Sequence, residues 1–341
     1  MDKKVVTFGE IMLRLSPPNY QRLIQADSFD VTYGGGEANV SVSLASFGLN
    51  SYYVTKLPIN PLGDAALNNL RRFGVKTDYI VRGGDRLGIY FLEIGAAQRP
   101  SKVVYDRAHS AIAVAKVGDF DWDEIFKDTK WFHFTGITPA LSDTAADLTL
   151  EAVKKAKQNN LKVSCDLNYR RKLWSTEKAN KVMTSLMDYV DIVLGNEEDA
   201  EKIFGIKAPE SDISTGQLNK EGYKLVAQEL IRRFKLELVA ITLRKSYSAS
   251  DNGWSALAYD GKNFYNSTKY QIHIIDRVGG GDAFAGGLIY SLINGNQLQE
   301  ALDFAVAASC LKHAIPGDFN LVSKDEVKSL QKGNVSGRVQ R

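Results

Sequence analysis

Residues 276–287 read Asp-Arg-Val-Gly-Gly-Gly-Asp-Ala-Phe-Ala-Gly-Gly. Gly279, Gly280 and Gly281 run straight into Asp282, and the small, apolar residues that follow have the character of a helix. Glycines just ahead of a helix let backbone N–H groups converge where the helix dipole is positive, which suits a phosphate. A carboxylate at the mouth of an anion site is repelled by that anion. Its presence makes sense if it takes a proton from a hydroxyl attacking phosphorus. The same residues also read as a glycine-rich turn with Asp282 as an ordinary helix cap.

A second glycine run, Gly34-Gly35-Gly36-Glu37-Ala38, precedes Asn39. It brings bare backbone close to a ligand, with Glu37 or Asn39 available for directional bonds to hydroxyls. Tyr90, Tyr105 and Arg107 lie in strand-like segments, and Tyr105 and Arg107, two apart, share a strand face. Arg170 follows the strand-like run Lys-Val-Ser-Cys-Asp-Leu-Asn, at a carboxyl end. A neutral sugar does not require arginines, whereas a carboxylate matches the guanidinium fork in shape and charge. Arg107 paired with Asp106, and Arg170 paired with a surface carboxylate, is the competing account. The acid-binding account is preferred because an unpaired strand arginine facing a cleft is costly without an anion.

These residues need a frame. Strand-like Val5–Phe8, Ser51–Leu57, Trp131–Ile137, Lys162–Asn168, Asp191–Asn196 and Leu238–Leu243 alternate with helix-like segments. Leu148, Ala152 and Ala156 share one helical face, as do Tyr223, Val226, Leu230 and Phe234. Repeated β–α units imply an α/β fold with a doubly wound, mainly parallel sheet and helices on both faces. Ligands in that architecture sit beyond the carboxyl ends of the strands. Two stretches break the alternation, residues 11–32 and 86–112, and both read as β without intervening helices. They are expected to form a small antiparallel sheet, a lid that excludes water from the site or serves as an oligomer contact. Residues 323–330 open with a capping box, Ser323 and Glu326, and residues 333–341 read as a frayed tail. The whole chain, 1–341, is expected to be one domain with an inserted lid.

Composition narrows the class. The 341 residues are 44% hydrophobic and 24% charged, with a net charge of +3, too small and too scattered to suggest nucleic acid. No apolar run approaches a membrane span, and the N-terminus passes directly into strand-like sequence rather than a signal peptide. Cys165 and Cys310 sit in apolar runs and read as buried thiols of a reducing compartment, so a cytoplasmic location is expected. No G-x-G-x-x-G follows the first strand, which disfavours a nicotinamide dehydrogenase. The P-loop and protein-kinase motifs are missing too. A non-catalytic sensor would be expected to lose the base, and Asp282 is intact.

The two motifs, GGGEANVSVSLASFG near the N-terminus and DRVGGGDAFAGG near the C-terminus, together resemble the paired hallmarks of the ribokinase-like (PfkB) carbohydrate kinases. The resemblance spans essentially the whole chain. It implies a doubly wound core with a β lid, ATP and Mg²⁺ as cofactors, Asp282 as catalytic base and Gly279–Gly281 as an anion hole, with Arg277 or Arg244 as further charge stabilisers. The Tyr…Tyr-x-Arg pattern with Asp-Leu-Asn-Tyr-Arg is similar to the 2-keto-3-deoxygluconate kinase branch, which phosphorylates the terminal hydroxyl of a sugar acid. A fructokinase-like neutral-sugar kinase, or a kinase of a related keto-deoxy acid, is the alternative. By the same resemblance Gly34–Ala38, Tyr90, Tyr105, Arg107, Arg170 and Asp318 are substrate contacts. Asn168, Asn196, Thr242, Arg244 and Ser246 are nucleotide contacts. The family's N-x-x-E motif falls on Asn196-Glu197-Glu198-Asp199, so Glu198 and Asp199 would position Mg²⁺ through water, although an acidic first helical turn explains the run as well. Many relatives carry Asp-Thr ahead of the glycines, a segment that in several helps hold a monovalent cation. Here Asp276–Arg277 stands there, which leaves that cation open.

Overall fold

Apolar runs that must be covered on both faces become central strands. A computed structural model describes residues 3–196, 198–208 and 220–334. The chain begins with β1 (Lys4–Phe8), β2 (Met12–Ser16), β3 (Asp30–Gly34), α1 (Gly36–Ser46), β4 (Asn50–Val54), β5 (Lys56–Leu57) and α2 (Pro61–Arg72). It continues with β6 (Val81–Arg82), β7 (Gly88–Glu93), β8 (Lys102–Asp106), α3 (Trp122–Phe126), β9 (Thr129–Thr135), α4 (Asp143–Gln158) and β10 (Lys162–Asp166). Next come α5 (Thr176–Met187), β11 (Ile192–Gly195), α6 (Asp199–Phe204), α7 (Lys220–Phe234) and β12 (Leu238–Ser246). The last elements are β13 (Asp251–Tyr259), β14 (Phe264–Asn266), β15 (Tyr270–His273), α8 (Gly280–Ile293), α9 (Leu298–Lys312) and α10 (Lys324–Gln331).

The large sheet runs β4-β1-β9-β10-β11-β12 with every pair parallel, then β13 antiparallel to β12. Both β14 and β15 pair antiparallel with β13 and finish that edge. From β1 the chain steps to β4 on one side and later from β9 to β12 on the other, so the order reverses beside β1. Crevices at such a switch point take ligands. Alternate residues feed two cores: Val6 and Phe132 pack with α3 to α7, while Val5 and Trp131 pack with α1, α8, α9 and α10. The sheet is thus covered on both faces, as the alternation implied.

Local chemistry explains the helix ends. Asn60 caps α2 by accepting from Gly63 N at 3.0 Å, with Pro61 in the first turn and Arg71 and Arg72 in the last. Ser323 and Glu326 form the expected capping box on α10. Small residues let α8 sink between its neighbours: a Cβ on Gly286 would lie 2.6 Å from Ser43 Cβ, and one on Gly287 2.9 Å from Ala305 Cα.

The lid is a four-stranded sheet, β3-β2-β7-β8. Expectation and structure differ in one respect: β2 and β7 pair parallel, whereas a wholly antiparallel lid was expected. The two strands belong to separate excursions from the core, so no short hairpin dictates their direction. The strand-like stretch 51–57 also divides, and β5 leaves the large sheet to pair with β6. Cys165 is buried as expected, but Cys310 is half-buried. Of the tail expected to fray, 335–341 lie outside the described residues.

Candidate active site

Gly279 caps α8 with φ 83°, a left-handed conformation that favours glycine, and a Cβ there would collide with the Asp318 carbonyl. Gly281 faces open space, with nothing within 4 Å of the position a Cβ would take. The first-turn amides of α8 have no partner within the helix and so are available to an anion. Asp282, in the same turn, is buried and accepts a hydrogen bond from Asn39 Nδ2 at 2.7 Å. Burial raises its pKa to about 6, against the pull of that bond and of the Arg170 charge. Asn39 in turn accepts from Gly35 N at 3.2 Å, so α1 and its glycine run orient the carboxylate.

A buried ionic network ties the lid to this turn. Arg14 of β2 donates to Asp318 Oδ1 at 2.8 Å, to Asp276 Oδ2 at 2.5 Å and to Ser16 Oγ at 2.8 Å. Tyr90 of β7 donates to the other Asp318 oxygen at 2.6 Å. Asp276 also accepts from the amides of Gly317 and Val278, at 3.0 and 3.1 Å. Met12, Tyr90 and Leu92 form a small apolar cluster with Val278 packed against it, so the inner lid face rests on the glycine turn.

The site is a cleft of about 530 Å³ whose opposite wall is made by the ends of β10, β11 and β12. Asp166, Asn168, Arg170, Gly195, Asn196, Asp199, Thr242 and Arg244 line it. Asp199 is buried and accepts from the amides of Tyr169 and Asn196 at 3.0 and 2.9 Å. Burial pushes the Asp166 carboxyl well up, and the nearby charges of Asp199 and Asp282 push the same way. Among the described residues no three acids, histidines or cysteines converge as a metal cage. Two buried carboxylates that disfavour each other's charge do fit a divalent cation held mainly by phosphates and water. On the same side Trp254 packs against His313 with centroids 4.9 Å apart and the rings tilted by 60°, and both line the cleft with Asn252 and Arg277.

Most of the expected residues converge here: Asp282, the three glycines, Gly35, Gly36, Tyr90, Tyr105, Arg107, Arg170, Asp318, Asn168, Asn196, Asp199, Thr242 and Arg244. Five do not line the cleft. Gly34 backs onto the Asp318 carboxylate, and Ala38 is fully buried in the core beneath the lid. Glu37 lies below the site, accepting from Thr135 N at 2.8 Å, Thr135 Oγ1 at 2.9 Å and Thr138 Oγ1 at 2.7 Å. Burial raises its pKa to about 7. Ser246 and Glu198 are exposed and do not line the cleft, and Glu197 lies outside the described residues.

Arg107 requires a correction. It is not unpaired, nor does it pair with Asp106. Both its Nε and Nη2 donate to Glu10, which Ser110 Oγ also contacts, while Asp106 pairs with Arg86 at 2.8 Å. The argument that Arg107 lacks an internal anion therefore fails, although its side chain still lines the cleft. Arg170 is exposed at the cleft mouth. Sequence reasoning missed Arg14, Asp166, Trp254 and His313. A charged residue inside the apolar strand Met-Leu-Arg-Leu-Ser was the available signal for Arg14.

Residues 2–318 match the model of the pfkB family of carbohydrate kinases. The crystal structure of 2-dehydro-3-deoxygluconokinase from Thermotoga maritima superposes with a TM-score of 0.94 at 56% identity, over 97% of this chain and 100% of that one. The 2-dehydro-3-deoxygalactonokinase of Haloferax volcanii is 35% identical over 99% of both chains. The 2-dehydro-3-deoxygluconokinase of Bacillus subtilis is 28% identical over 94% of this chain and 92% of its own. With the glycine turn, the buried aspartate and the β lid assembled at one cleft, the chain belongs to the pfkB family of carbohydrate kinases.

Proposed function

We propose that this protein is an ATP-dependent kinase of 2-keto-3-deoxygluconate (2-dehydro-3-deoxygluconate), converting it to the 6-phosphate. The observation that carries the reading is Asp282: a buried carboxylate, oriented by Asn39, beside amides that favour an anion. The sugar acid lies under the lid with its carboxylate toward Arg170 and Arg107, and with Tyr90, Tyr105 and Asp318 about its hydroxyls. Its terminal hydroxyl faces Asp282. As the hydroxyl oxygen bonds to the γ-phosphorus, Asp282 accepts the hydroxyl proton and the bond to the ADP oxygen breaks. The glycine-turn amides, with Arg244 and Arg277, balance the charge that spreads over the transferring group. Asp166 and Asp199 would hold Mg²⁺ through water, and the bound ion would neutralise the β- and γ-phosphates. Asn196 and Thr242 sit on the nucleotide side.

A cytoplasmic location fits the absence, among the described residues, of any helix long and apolar enough to cross a membrane. The exposed Ile24, Val31 and Val104 on the lid suit a contact between copies of the chain. An ADP-release assay with 2-keto-3-deoxygluconate, its galacto epimer, fructose and ribose tests the substrate. The gluconate acid is expected to have the highest kcat/KM. Preference for fructose would overturn the acid reading and favour a neutral-sugar kinase.

A further inference from the structure

Lys312, the last residue of α9, is fully buried directly beneath the glycine turn. Its Nζ donates to two backbone carbonyls, Ile315 O at 3.1 Å and Asp276 O at 3.4 Å. No carboxylate comes within ion-pair distance of it among the described residues. Its Cε lies 3.2 Å from where a Cβ on Gly279 would be, so the lysine stem forms part of the floor of that turn. The segments it joins are zipped together independently: the amides of Ile275 and Asp276 both bond to His313 O, at 2.8 and 3.2 Å. Burial lowers the Lys312 pKa from its ordinary value, and Arg14 pushes the same way, while the charges of Asp276, Asp318 and Asp282 offset part of that and favour the ammonium.

A buried cation held by carbonyl oxygens alone is the bonding pattern of a desolvated alkali ion, whose hydration shell such oxygens replace. An ammonium group is close to potassium in size and charge. We propose that the Lys312 ammonium is the resident cation of the glycine turn, occupying a carbonyl-lined position that would otherwise call for a monovalent metal ion, and that this chain therefore works without potassium. Lys312 is a positioning residue. It touches no reacting atom, but it fixes the Asp276 and Ile315 carbonyls and places an ammonium group under the glycine turn. This rests on the kinase reading of the site.

The test compares wild type with Lys312→Met, which keeps the apolar stem and deletes the charge, in potassium, sodium and tetramethylammonium chloride at one ionic strength. Wild-type kcat/KM and nucleotide affinity are expected to agree within about twofold in all three salts. For Lys312→Met in tetramethylammonium, kcat/KM for ATP is expected to fall about ten- to a hundredfold, the effect of losing a buried charge-assisted contact. Potassium or ammonium should restore part of it, with KM for the sugar acid little changed. A second readout needs no turnover: ADP titrated against the intrinsic fluorescence, Trp254 lining the cleft, should give a potassium-dependent Kd in the variant only. A wild-type enzyme that requires potassium would overturn the assignment, as would a variant indifferent to every cation. If Lys312→Met does not fold, wild-type potassium dependence alone decides against it. A wild type that turns over no sugar acid counts against the kinase reading instead, and the ADP titration still judges Lys312.

Discussion

Asp282 combines burial with one hydrogen-bond donor, and this sets its proton affinity near neutrality, where a general base is most effective. Asp282→Asn keeps the shape and the Asn39 contact but cannot accept a proton. Its kcat is expected to drop by about 10²–10⁴-fold or more while ATP binding persists; turnover within tenfold of wild type would remove the residue from that role. Since its pKa is raised to about 6, the wild-type rate should climb as pH increases through that value and then level off. Arg170 lowers the Asp282 pKa, so Arg170→Ala should move that limb to higher pH. The same change should raise KM for the sugar acid about tenfold or more. Arg107 is the harder case, because Arg107→Ala strands Glu10 as a buried charge, an effect worth about 3–5 kcal/mol of stability. The double variant Glu10→Gln/Arg107→Gln avoids that, and its KM for the acid is the cleaner measurement; an unchanged KM would reduce Arg107 to a structural role. That Asp282 and its glycines meet at one cleft was legible because they are consecutive residues. Arg14 was not, since its partners Asp276 and Asp318 are more than two hundred and sixty positions away.

At the scale of elements, the lid is joined to the glycine turn by Arg14 and Tyr90 rather than by apolar packing alone. Arg14→Met leaves two buried aspartates without their counter-charge, and a loss of roughly 3–5 kcal/mol is expected in denaturant unfolding. A value below about 1 kcal/mol, the worth of an exposed pair, would show the network to be incidental. Helix α1 is fastened differently, through Glu37 to Thr135 and Thr138. The folded pKa of Glu37 is about 7 against an ordinary 4.5, so the native state holds its proton more tightly than the unfolded chain. Its contribution is therefore fully present below about pH 4.5 and is lost as pH rises through 7. Relative to wild type, Glu37→Gln should gain stability between pH 5 and pH 8, on the order of 3 kcal/mol. A stability difference that does not vary with pH would mean Glu37 is not perturbed.

For the molecule as a whole, the parallel core could be read from the sequence because each β–α unit carries its own periodicity, and right-handed crossovers leave few ways to join them. The antiparallel edge of β13, β14 and β15 and the parallel β2–β7 pair could not. Which strand a short β segment joins depends on partners brought close only by the finished fold. The same holds for the cleft: its chemistry was announced by two motifs, but its closure by Glu10–Arg107 and Arg14–Asp318 depends on pairs that no local pattern reveals.

The bond from Arg14 to Asp318 spans 304 positions, and that from Asn39 to Asp282 spans 243. During synthesis the N-terminal half therefore leaves the ribosome with a lid strand whose arginine has no counter-charge and a helix whose asparagine has no carboxylate to bond. Both remain so until the last elements emerge. A prematurely terminated chain ending after β15 would contain every strand of the large sheet and yet neither Asp282 nor the glycine turn. A chain lacking its final segment leaves the Arg14 guanidinium without Asp318, and a charge whose burial has lost its partner favours unfolding.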